Sequence, residues 1–153
     1  MAKTIHHPDL KEASIQAARE VIAEQGVEGL SLRDVARKLG VSHQAPYRHY
    51  PSRDHLLASI MQRCFEDFAN FLDQASKAHT TDSLLGMGQA YMRFAAERPL
   101  EYRLVFGTPW PEPAAHPELV SHAVHAFDLL RNHLLQDLQQ RASAPQSDML
   151  ALL

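Results

Sequence analysis

The chain reads as an all-α protein. Apolar residues recur at helical spacing along most of its 153 residues, and no stretch of any length alternates apolar and polar residues as a strand would. Glycine and proline punctuate the periodic segments: Gly26, Gly40, Pro99 and a proline-rich run at 107–117.

The elements follow in order. A first helix is expected over 9–25, with Ile15, Ala18, Val21 and Ile22 facing inward and Gly26 ending it. Ser31 can cap a second helix, with the acidic Asp34 in its first turn. Leu32, Val35, Ala36 and Leu39 form its apolar face, and Ala36 is small enough to let a neighbour approach. Gly40 supplies a left-handed residue at its end, and Val41 plugs the angle that follows. Ser42 is a further cap candidate, for a third helix from His43 to about Tyr50; Pro46 removes one of its first hydrogen bonds. Ser52 caps a long helix over 53–77, with apolar Leu57, Ile60, Met61, Cys64, Phe65, Phe68, Phe71 and Leu72. Another helix is expected over 82–97, carrying Leu84, Leu85, Met87, Tyr91, Met92 and Phe94, and Pro99 opens a short one through Val105 and Phe106.

Residues 107–117 hold four of the nine prolines and must form a loop, which places Trp110. Helical pattern returns over 117–140 through Leu119, Val120, Val124, Phe127, Leu130, Leu134 and Leu138. Residues 142–146 form a break, and Ser147 can cap a last helix that includes the apolar run 149–153.

Residues 31–50, SLRDVARKLGVSHQAPYRHY, carry the strongest functional signal. Two short helices around a tight glycine turn have the layout of a helix-turn-helix reader of the DNA major groove. Its second half would present His43, Gln44, Tyr47 and His49 outward; glutamine can hydrogen-bond adenine, and histidine and tyrosine can reach phosphates or base edges. Arg53 lies in the first turn of a helix, where a cation is unfavourable for the dipole, so its place hints at an outside anion such as phosphate.

The run from about Pro8 to Phe68 resembles the N-terminal DNA-binding domain of TetR/AcrR-type transcriptional regulators. The segments AAREVIAEQGVEGLSLRDVARKLGVS and APYRHYPSRDHLL carry the resemblance, and the APYRHY form looks like the subgroup whose C-terminal ligand domain is also recognisable. The resemblance implies a DNA-binding domain at 8–68, with its helix-turn-helix at 31–50, and a helical ligand-binding and dimerisation domain at 69–153. It implies that Ser42, His43, Gln44 and Ala45 face bases or nearby phosphates. Tyr47, His49 and Arg53 would hold phosphates, helped by Arg33. The family usually has Lys at the place of Arg53 and often Thr-Leu at that of Ala45-Pro46, so base preference does not transfer. Its dimer forms through two long C-terminal helices; the apolar 149–153 has none left to pack on, so further residues beyond Leu153 are expected.

Composition is consistent with a local DNA contact. Residues 1–55 carry eight Lys and Arg against seven Asp and Glu, while the chain as a whole is at −3. A slightly basic head on an acidic body excludes a generic nucleic-acid coat. Cys64 is the only cysteine, which excludes an intrachain disulfide, and its apolar neighbours mark it as a buried small hydrophobe. The N-terminus has no apolar signal core, and no apolar run approaches the roughly 18 residues of a membrane span, so a cytoplasmic protein without a membrane partner is expected.

The resemblance also implies a small-molecule cavity in the body, for which Phe65, Phe68, Tyr91, Phe94, Tyr102, Phe106, Trp110 and Phe127 are the candidate lining residues. Tyr91, Tyr102 and Trp110 have polar handles that such a site could use. Each ring has a plain reading as core. His116, His122 and His125 are the one cluster to test for metal, and no cysteine joins them. The expected protein is therefore a ligand-responsive regulator, most often a repressor, binding near-palindromic operator DNA as a homodimer, with no cofactor, metal or catalytic residue. Its competitors are a small helical enzyme using His122, His125 or Glu118, and a helical protein-interaction module; no nucleophile motif or phosphate loop supports the enzyme.

Overall fold

The computed structural model describes residues 9–78 and 83–143. The described residues form six α-helices: α1 (Leu10–Gln25), α2 (Leu32–Leu39), α3 (Arg53–Ala78), α4 (Ser83–Glu97), α5 (Pro99–Phe106) and α6 (Pro117–Ser143). Short 3-10 turns occupy Val27–Gly29, Pro46–Arg48 and Pro113–Ala115, and there is no strand among the described residues.

Local chemistry sets the ends of the first helices. The Asp9 carboxylate accepts the Glu12 backbone N–H at 3.1 Å and caps α1. Gly26 stops it at φ 79°, a conformation that costs glycine little. Ser31 caps α2 by accepting the Asp34 N–H at 3.1 Å, and its hydroxyl donates to the Asp34 carboxylate at 2.6 Å. Gly40 at φ 65° ends α2; its N–H goes to Arg37, and the Val41 N–H to Ala36 at 3.1 Å. Those two bonds are a Schellman closure, which fixes the exit angle toward the recognition segment.

The recognition segment departs from the expected helix over 43–50. Residues 43–45 form a turn, and only Pro46–Arg48 coil further, as a single 3-10 turn. Proline has no N–H to return to the Ser42 carbonyl, and the Ala45 N–H takes that carbonyl instead, at 2.9 Å. The His49 and Tyr50 N–H groups both converge on the Pro46 carbonyl at 3.0 Å. The result is a tight knuckle, with Pro46 buried beneath and its neighbours outside.

α3 is the spine. Ser52 caps it through the His55 N–H, at 3.3 Å. Leu56, Leu57, Ile60, Met61, Cys64, Phe65, Phe68 and Leu72 along it are all 3% exposed or less. α1, α4, α5 and α6 all pack against it. One continuous core runs from Ile15 and Tyr50 in the head to Phe94, Leu104 and Leu119 in the body.

α6 continues to Ser143, into the break expected at 142–146, of which residues 144–146 lie outside the described residues. It buries Leu119, Ala123 and Ala126, whereas Val124, Phe127, Leu134 and Leu138 are exposed. Two alanines, which let α6 approach the spine closely, define its buried face in place of the larger residues on the neighbouring stripe. In α4, Met87 and Phe94 are buried while Leu85 and Met92 are exposed. The expected cap Ser147 and the run 149–153 lie outside the described residues.

Candidate nucleic-acid interface

The side chains proposed to meet DNA share the outer surface of the knuckle and the start of α2. Arg33, Ser42, His43, Gln44 and His49 are exposed, Tyr47 is 45% exposed, and Ala45 is half-buried. The support beneath is rigid: α2 is capped at both ends, Pro46 is buried, and Tyr50 is 2% exposed. The Tyr50 hydroxyl donates to the Lys11 carbonyl at 3.0 Å, pinning the end of the knuckle to α1. Burial pushes its pKa up to about 12.

Electrostatics sort the basic residues of the head. Arg37 pairs with Asp34, and Lys38 pairs with Glu24 at 2.7 Å and Glu20 at 3.5 Å. The hydrogen bond that Lys38 donates to the Glu24 carboxylate is the main influence raising the Lys38 pKa. Arg33 and Arg48 are exposed with no ion-pair partner among the described residues, so they can meet phosphate without first losing an internal bond. The sequence pattern alone does not single out Arg48. The signal that could have found it is its place between Tyr47 and His49 on a segment too short to bury it.

Arg53 has a structural task that its sequence position did not announce. Its guanidinium donates to the Val27 carbonyl at 2.7 Å and the Leu30 carbonyl at 3.1 Å, tying the 3-10 turn before α2 to the spine. Its remaining amino group lies 3.4 Å from Asp54. These backbone acceptors compensate for the unfavourable dipole position.

In the body the eight rings join one network. The Phe68 ring lies 5.1 Å from Phe94, 5.4 Å from Phe106 and 5.9 Å from Tyr91, and Tyr102 is 4.9 Å from Phe106. Phe65 reaches Trp110 at 5.3 Å and Phe127 at 6.2 Å. These separations suit edge-to-face contacts. Phe65, Phe68 and Phe94 are fully buried, whereas Phe106 and Phe127 are 36% and 45% exposed, so one edge of the cluster faces water. The Tyr91 and Tyr102 hydroxyls are 2.9 Å apart, and that hydrogen bond chiefly raises the Tyr91 pKa. The Trp110 indole N–H points to the Val105 carbonyl at 3.5 Å.

The three histidines of the body go to different places. His116 stacks edge-on against His55 with ring centroids 4.9 Å apart, His122 lies 3.1 Å from the Gln62 amide and 3.5 Å from Glu66, and His125 is exposed. Among the described residues no group of three or more metal-capable side chains converges. No helix among them is long and apolar enough to cross a membrane.

Residues 15–60 match the profile of bacterial regulatory proteins of the tetR family. Residues 84–153 match that of the tetracyclin repressor-like C-terminal domain. The HTH-type transcriptional regulator Rv1816 of Mycobacterium tuberculosis is 32% identical over 108 residues, which is 68% of this chain and 46% of that protein. The HTH-type transcriptional activator FasR of Mycolicibacterium smegmatis is 28% identical over 122 residues, covering 74% of this chain and 55% of its own. The chain thus spans about half the length of the curated relatives it matches. A solved structure of a protein with unknown function from Rhodococcus sp. RHA1 superposes with a TM-score of 0.74 at 27% identity, over 88% of this chain and 71% of that one. The all-helical architecture, the helix-turn-helix head and the two matched profiles agree, and the chain belongs to the TetR family of bacterial regulatory proteins.

Proposed function

We propose that the protein is a ligand-responsive transcriptional regulator that binds a near-palindromic operator as a homodimer. The observation that carries this reading is the exposed row Ser42, His43, Gln44, Tyr47, Arg48 and His49 on a knuckle clamped from below, flanked by Arg33, which has no ion-pair partner among the described residues. His43, Gln44 and Ala45 carry base preference; Arg33, Arg48, Tyr47 and His49 hold phosphates. Arg53 serves the same surface chiefly by fixing the turn before α2, with its half-exposed amino group the only part left to reach phosphate.

The reading divides the chain into a head at 8–68 and a body at 69–153, with α3 shared between them. The effector is a small apolar or aromatic molecule that enters the ring cluster of Phe65, Phe68, Tyr91, Phe94, Tyr102, Phe106, Trp110 and Phe127 from its exposed edge. The matched C-terminal profile supports the subgroup suggested by APYRHY. Effector binding releases the operator, which makes the protein a repressor. One similar protein is named an activator, so the sign is read directly by a reporter gene placed under the operator. The DNA-binding claim is tested by gel shift, at low salt, against the DNA flanking the protein's own gene. A retarded band that unlabelled flanking DNA competes away better than random DNA is expected; no shift refutes the reading.

A further inference from the structure

We propose that His55 and His116 form a binding site for a divalent transition-metal ion, with zinc the ion that the geometry suits, where the foot of the spine meets the body. The site lies apart from the aromatic cluster and takes no ligand from the residues assigned to DNA.

The two imidazoles come from distant parts of the chain. His55 stands in the first turn of α3, just after the knuckle, and His116 closes the 3-10 turn that leads into α6. Their ring centroids are 4.9 Å apart, with the planes at 83°. An ion held at about 2.0–2.1 Å by one nitrogen of each ring, at a near-tetrahedral angle, sets the centroids about 5 Å apart. The rings already stand at that separation. Both lie on the wall of a cavity of about 290 Å³, which has room for an ion and its water. A plain edge contact gives the same separation, and the surroundings of the two rings favour a ligand pair.

The Ser52 hydroxyl lies 2.8 Å from His55 Nδ1, which holds the ring against the cap of α3 and leaves Nε2 for an ion. His116 is fixed through its backbone: its N–H donates to the Pro113 carbonyl at 3.1 Å, and its carbonyl accepts the Val120 N–H at 3.3 Å. Its ring nitrogens have no hydrogen bond among the described residues. His122, by contrast, is already engaged by Gln62 and Glu66. His49 and Glu118 share the cavity wall but do not converge on the pair, so water completes the coordination of an open site. Imidazole donors suit zinc, nickel and copper, whereas calcium and magnesium take oxygen. Lys11 is the one lysine or arginine on that wall; it is exposed, and its flexible stem carries the ammonium into water.

Zinc titration of the chelator-stripped full chain by calorimetry tests the site. One zinc ion per chain is expected above the background of His6 and His7, which the His55→Gln/His116→Gln double variant measures. Each single variant should weaken binding by about tenfold or more. Glutamine at the exposed His55 leaves the core untouched, so a loss of zinc there does not come from unfolding. His122→Gln and His125→Gln should leave the affinity unchanged. Zinc should also raise the thermal midpoint of the native protein and not that of the double variant, because an ion that binds the folded junction stabilises it by mass action. Equal zinc uptake by native and double-variant protein, native affinity in either single variant, or a midpoint that zinc moves equally in both proteins overturns the site.

Discussion

At the residue scale, the basic side chains of the head divide by whether the fold already uses them. Arg37, Lys38 and Arg53 hold internal partners; Arg33 and Arg48 hold none among the described residues. Arg48→Ala should therefore weaken binding to all DNA sequences alike and lower the slope of log affinity against log salt by about 0.9, the share of one phosphate. Titration of a fixed duplex at several salt concentrations reads it, and an unchanged slope removes Arg48 from the interface. Sequence alone did not show that Arg53 is already used, because its partners come from distant turns, the carbonyls of Val27 and Leu30.

Two buried acids make a second residue-scale prediction. Burial raises the Cys64 thiol from 9.0 to about 12 and the Tyr50 phenol from 10.0 to about 12. Both groups stay neutral longer in the folded chain than in the unfolded one. The stability they contribute is complete below pH 9 and is lost as pH rises from 9 toward 12. Denaturant midpoints should be flat from neutrality to pH 9 and fall beyond it, and a thiol reagent should react only on unfolding.

At the scale of elements, the ends of α1 and α2 are legible because each is set by an adjacent side chain or glycine: Asp9, Gly26, Ser31 and Gly40. Ser31→Ala should cost about 1 kcal/mol for the lost cap. Gly40→Ala should cost about the same, because an L side chain resists a left-handed backbone. Chemical denaturation checks both, and a neutral result at either site would contradict the closure described. The knuckle at 43–50 was harder to read, because polar spacing suited a helix and only the bookkeeping of the Ser42 carbonyl excludes one. The buried face of α6 was also hidden: Ala123 and Ala126 win over larger neighbours by close approach, a matter of packing that periodicity does not resolve. In α3, Phe68→Ala should cost about 3–5 kcal/mol, since the ring is fully buried at the centre of the aromatic network.

At the scale of the whole molecule, the short head presents too little surface to specify an operator alone, and the proposed dimer supplies the rest. The architecture was legible because helical period, glycine stops and the motif at 31–50 all pointed the same way. The Arg19–Glu101 contact between α1 and α5 was not, because the two residues are 82 apart in the chain. The central claim is that two heads read one near-palindromic site together. Selection of bound sequences from a random DNA pool tests it most directly. The account predicts enrichment of an inverted repeat whose half-sites are centred about one helical turn apart, 10–10.5 base pairs or a multiple of it. Recovery of no sequence above background at low salt, or of a single unrepeated half-site, would contradict it.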